Sequence, residues 1–132
     1  MLARYYGRAM ARSGSTARHE DETRMDDWRT GDVDELIGAL LRLEDRDEAA
    51  RFLRDLCTLG ELRDLAQRWA VVRRLDQGEH YAAISRETGA STATITRIAS
   101  WLNHGEGGYR QALDRLSDAV DAGVPYPTRS DR

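Results

Sequence analysis

The stretch that most constrains the fold of this chain runs from Gly78 to Leu102, GEHYAAISRETGASTATITRIASWL. It reads as two short helices joined by a tight turn at Thr88-Gly89-Ala90. Ser85 lies four residues before Gly89 and Ile84 five before it, while Ile95 and Ile98 follow at six and nine. Two helices that cross steeply need a small residue where they touch. They also need a turn residue that tolerates positive φ and branched apolar side chains that lock the second helix. The spacing therefore predicts a helix-turn-helix, with residues 91–100 presented to a partner. DNA is the partner this arrangement suits best.

Helical periodicity extends to either side. Val33, Leu36, Ile37, Leu40 and Leu41 follow the i, i+3, i+4 pattern, and Asp32 is the expected N-cap with Glu35 three residues on. Ala49, Phe52, Leu53, Leu56 and Cys57 repeat the pattern after a charged break at 44–47. Thr58 is placed to cap a third helix bearing Leu62, Leu65, Ala66, Trp69 and Val72, widened by Val71 and Leu75. That extra apolar width implies contact with a second layer or a second subunit. Gln77-Gly78 closes the helix, with glycine in the C-cap region. After the breaks at 103–105 and 107–108, a last amphipathic helix carries Tyr109, Ala112, Leu113, Leu116 and Val120. The pattern gives six helices and no strand. Residues 1–30 lack the period and are expected to be a disordered extension, with Met25 as an alternative start. Residues 31–122 form the domain, and 123–132 a flexible tail.

Composition limits the partners. The 132 residues carry a formal charge of −3, and all 20 basic residues are arginine. Net acidity argues against indiscriminate nucleic-acid binding, but a specific reader needs positive charge on one face only. Residues 31–57 hold eight acids against four arginines, whereas residues 58–104 hold six arginines against five acids. Cys57 is the only cysteine, so no intramolecular disulfide can form, and the cytoplasm is the expected compartment. No segment approaches the ~20 apolar residues of a membrane span, and no signal peptide is expected.

No catalytic or metal-binding constellation emerges, and no cofactor is expected. His19, His80 and His104 lie in unrelated contexts and, with Cys57, give no usable ligand spacing. The segment after Gly89 has better chemistry. Ser91 or Thr92 can cap its helix and leave backbone N–H groups suited to a phosphate. Thr92, Ala93, Thr96 and Arg97 avoid the apolar stripe of Ile95, Ile98 and Leu102. Short side chains allow close approach to base edges, and threonine methyls can meet a thymine methyl. Arg97 has the reach for a phosphate, a base or a small-molecule acid.

The segments DLCTLGELRDLAQRW at 55–69, TGASTATITRIASWLN at 88–103 and YRQALDRL at 109–116 resemble the Trp repressor superfamily, most of all its YerC/YecD branch. The resemblance spans about residues 28–120. It implies an all-α, six-helix, intertwined homodimer that binds double-stranded DNA as a transcriptional regulator, expected to be a repressor. It further implies that Thr92, Ala93 and Thr96 face bases. Thr58, Arg68, Thr94 and Arg97 fall on positions lining a corepressor pocket, where two arginines suit a carboxylate and an aromatic ring. Two departures stand out. Ile98 replaces a glycine that leaves room for an indole, and Ala82 replaces a base-contacting arginine. Tryptophan is therefore not the expected effector, and the resemblance does not transfer an operator. The competing reading is a helical protein-interaction module that has kept the shape without reading DNA, which net acidity and Ala82 favour.

Overall fold

The computed structural model describes residues 27–123. Among them are six helices and no strand. They are α1 (Gly31–Leu40), α2 (Arg46–Leu56), α3 (Leu59–Asp76), α4 (Tyr81–Thr88), α5 (Thr92–His104) and α6 (Gly108–Asp121). The expectations for residues 1–26 and 124–132 lie outside the described residues. The chain divides into two compact units, residues 1–49 and 50–132, with the division falling within α2.

In the first unit, α1 starts one residue before Asp32. Its N-cap is Thr30, whose hydroxyl accepts from the Val33 N–H at 3.3 Å. Asp32 and Asp34 instead occupy the first turn, where negative charge favours the positive end of the helix dipole. The expected Asp32 cap is thus corrected, because the threonine hydroxyl two residues earlier takes the orphan N–H. Asp34 also accepts from Arg29 Nε at 2.6 Å, and this bond raises the arginine pKa further above its ordinary value. The charged break is shorter than expected. Asp45 Oδ1 accepts from the Glu48 N–H at 2.8 Å, and Glu48 Oε2 accepts from the Glu44 N–H at 3.0 Å, so α2 already begins at Arg46. Helix α1 buries none of its residues fully, and Leu41 just beyond it is 80% exposed.

The second unit holds the core. Thr58 caps α3, accepting from the Glu61 N–H at 3.2 Å, while its own hydroxyl donates to Glu61 Oε1 at 3.1 Å. The 18-residue α3 is the beam against which α4, α5 and α6 pack. Only its second half is buried, through Val71 and Val72. These meet Ile84 of α4, Ala90 of the turn, Ile95 and Ile98 of α5 and Leu113 of α6, flanked by Trp69, Leu75, Leu102 and Tyr109. The Trp69 and Tyr109 rings lie 6.3 Å apart and tilted by 42°, a favourable aromatic arrangement that fastens α6 to α3. Arg110 adds a 2.7 Å ion pair to Asp76. The extra apolar width read in the sequence, Val71 and Leu75, is covered by the second layer within this chain, whereas the first half of α3 leaves Leu59 and Leu65 about half exposed.

Two links set the α4–α5 unit on that beam. Arg74 Nη1 donates to both carboxylate oxygens of Glu79, at 2.9 and 3.2 Å, and the Glu79 N–H donates to the Arg74 carbonyl at 3.1 Å. This half-buried pair fixes the exit from α3. At the other end, Gly89 adopts φ 74° and ψ 2°, and its N–H donates to the Ser85 carbonyl at 2.9 Å. The left-handed conformation disfavours any residue with a Cβ. A Cβ added here would meet only Gln67 Nε2, at 3.7 Å, so the penalty for a side chain is in the backbone rather than in crowding. Gly89→Ala is accordingly expected to lower unfolding free energy by about 1–2 kcal/mol, with Gly89→Asn costing less, as measured by urea denaturation.

Candidate nucleic-acid interface

The turn and α5 separate two kinds of side chain by helical period. Ile95 and Ile98 are fully buried, while Ser91, Thr92, Ala93, Thr96 and Arg97 are all exposed. The burial of one stripe turns the other outward, since residues three and four apart share a face. Ser91 is the N-cap. Its hydroxyl accepts from the Thr94 N–H at 3.2 Å and donates to Thr94 Oγ1 at 3.0 Å. Of the two caps open from sequence, the structure selects Ser91, and Thr92 is the first helical residue. The first N–H groups of α5 have no intrahelical carbonyl to bond, which suits an anion at this end.

The threonines differ in what they present. Thr96 Oγ1 donates to the Thr92 carbonyl at 2.9 Å. Its hydroxyl proton is therefore committed to the helix, leaving oxygen lone pairs and the methyl for a partner. Thr94 is half-buried and engaged with Ser91, so it supports the helix start more than it offers a free surface. Arg97 has no ion pair among the described residues. Ala82 is exposed on α4, where an arginine side chain would otherwise extend the positive surface.

Between α3 and α5 lies an open cleft of about 220 Å³, lined by Asp64, Gln67, Arg68, Thr94, Arg97, Ile98 and Trp101. The structure thus brings together four of the five residues assigned to a pocket from the resemblance: Arg68, Thr94, Arg97 and Ile98. Thr58 is not among the lining residues and instead caps the start of α3. Asp64, Gln67 and Trp101 were not anticipated. Two of them had a signal, since Asp64 precedes Arg68 by four residues and Trp101 follows Arg97 by four, so each shares a helix face with a named arginine. Ile98 belongs both to the cleft wall and to the sealed core. Two guanidinium groups against one carboxylate give the cleft a positive balance. Among the described residues no group of three or more His, Cys, Asp or Glu side chains is placed to hold a metal, and no helix is long and apolar enough to cross a membrane.

Six helices, no strand among the described residues and a short turn between α4 and α5 make up a Trp-repressor-like, all-α fold. The chain belongs to the Trp repressor family, whose model, described as Trp repressor protein, matches residues 31–117. It is 46% identical over 94 residues to the protein YerC of Bacillus subtilis (strain 168), covering 71% of this chain and 90% of that protein. A solved structure of a TrpR-like protein from Eubacterium eligens ATCC 27750 superposes with a TM-score of 0.65 at 43% identity, covering 67% of this chain and 92% of that one. A second, from Staphylococcus aureus, gives 0.64 at 45% identity, with 67% and 89% covered.

Ile98 occupies the cleft wall with branched apolar bulk and has no surface to yield without opening the core. Tryptophan at saturating concentration is therefore expected to leave the melting temperature unchanged in differential scanning fluorimetry. A saturable rise of several degrees would show that the wall gives way.

Proposed function

We propose that this protein is a cytoplasmic, homodimeric, sequence-specific DNA-binding transcriptional regulator, acting as a repressor, and that α5 enters the major groove. The observation that carries this reading is the division of α5 into a sealed isoleucine face and an exposed Ser91, Thr92, Ala93, Thr96 and Arg97 face. A face that only solvated the helix would have no need of short side chains around one arginine. Here they allow the backbone to approach base edges, with Arg97 reaching phosphate or a base. Membership of the Trp repressor family supports the same reading.

Self-association is supported by the apolar surface that one chain leaves bare. Leu59 and Leu65 on α3 and Leu56 at the end of α2 are all near half exposed. A two-fold dimer would cover such a surface and set two copies of α5 about 34 Å apart, or a multiple of that, to meet successive major grooves. Sedimentation equilibrium is expected to give about twice the 14.9 kDa chain mass. Leu65→Glu should shift the population toward monomer by placing a charge in the covered surface.

Reading of DNA is tested by selecting genomic fragments on the purified protein and measuring electrophoretic shifts across salt concentrations. Thr96→Ala is expected to weaken specific binding by roughly 1 kcal/mol. Thr96→Val should cost less, because it keeps the methyl that the back-bonded hydroxyl leaves outward. Arg97→Ala should cost more and lower the salt slope if the guanidinium lies on a phosphate. Absence of any shift at about 50 mM salt, where phosphate contacts dominate, would favour the protein-interaction module that Ala82 and the net acidity suggest.

A further inference from the structure

We propose that Gln67 is a positioning residue for the α5 reading face, holding the α4–α5 turn to the scaffold helix by a hydrogen bond that the chain itself supplies. The inference rests on the DNA-reading role proposed for α5 and adds to it a residue outside that face.

The core beneath α4 and α5 is apolar, and apolar burial is non-directional. Its packing sets which faces of α4 and α5 meet α3, and a directional bond can pin the turn between them more sharply. Gln67 provides such a bond. Its Nε2 donates to the Thr88 carbonyl at 3.0 Å across 21 residues of sequence, in a half-buried setting. Thr88 is the last residue of α4, where carbonyls have no intrahelical N–H left to accept from. The same residue organises the turn on its other side. Thr88 Oγ1 donates to the Ile84 carbonyl at 2.6 Å and accepts from the Ala90 N–H at 3.2 Å. Gly89, the left-handed residue from which the chain departs toward α5, is next in sequence, with Gln67 Nε2 3.7 Å from the place a Cβ would take. Gln67 thus grips the turn within one residue of its pivot.

Gln67 also lines the cleft beside Arg68, Thr94 and Arg97. Its amide lies where the scaffold, the turn and the open cleft meet. Rotated off Thr88, it would leave a half-buried carbonyl unpaired and free the turn to move relative to α3. The bond therefore acts on DNA binding through the geometry of α5, not through any contact of Gln67 with the nucleic acid.

The test compares wild type with Gln67→Met and Gln67→Glu, reading amide hydrogen exchange at Gly89 and Ala90 and affinity for a fragment selected from genomic DNA. Gln67→Met keeps the length and removes the donor. It is expected to speed exchange at both amides and to weaken fragment binding roughly three- to tenfold, with the melting temperature and the salt slope close to wild type. Gln67→Glu is expected to behave like Gln67→Met at about pH 7.5, because its carboxylate, with two arginines lining the same cleft, is ionised and can only accept. Asp64, Arg68 and Arg97 face the same cleft in all three proteins. The ratio of each variant to wild type therefore isolates position 67. Wild-type exchange and affinity in Gln67→Met would overturn the proposal. So would a loss of affinity that follows a fall in melting temperature in both variants, since that is the signature of a merely structural residue. If wild type shifts no fragment while Gln67→Met still speeds exchange, the DNA reading fails and the hold of Gln67 on the turn is upheld.

Discussion

Packing of Ile84, Ile95 and Ile98 onto Val71 and Val72 is the contact on which the rest of the second unit depends. All five side chains are fully buried. Each contributes about 1.5–3 kcal/mol of burial free energy, against which the eight-residue α4 has little intrinsic stability of its own. Without α3 as a partner, α4 and α5 would not persist as helices, and the angle between them would be undefined. Branched side chains suit the task because their restricted χ1 leaves little rotamer freedom to lose on burial.

The apolar lock determines which face of α5 is turned outward, and the polar groups then set what that face can do. Ser91 settles where the helix begins. Thr96 gives its proton to the backbone and presents a methyl. Arg97 is the one cation on this exposed face, which makes the face short, weakly charged and able to approach a surface closely. The chain's overall acidity does not oppose this, because charge acts locally within a Debye length of ~8–10 Å.

Ile98 connects the cleft to the apolar core. It is a core residue by burial and a cleft residue by position, so the cleft between α3 and α5 cannot deepen at that point without loosening the packing that orients α5. The two arginines of the cleft remain available, with Asp64 as the only carboxylate among its lining residues. The cleft thus has a polar rim that includes Arg68, Thr94 and Arg97, with the buried Ile98 filling the space behind it.

The sequence by itself determined the elements. The 3.6-residue period placed six helices, the demand for positive φ placed the turn at Gly89, and Thr58 marked the start of α3. The segregation of Ile95 and Ile98 from Thr92, Ala93, Thr96 and Arg97 was also legible, because it follows from the pitch of one helix. Local choices between neighbours were less so. Thr30 displaced Asp32 as a cap because either oxygen can accept an orphan N–H, and geometry decides between them. Only the tertiary structure decided that Gln67 bonds Thr88, that Asp64 and Trp101 join the cleft, and that Thr58 does not. These pairings join residues on different helices, and spacing along a chain cannot say which faces meet until the buried side chains have set how the helices pack.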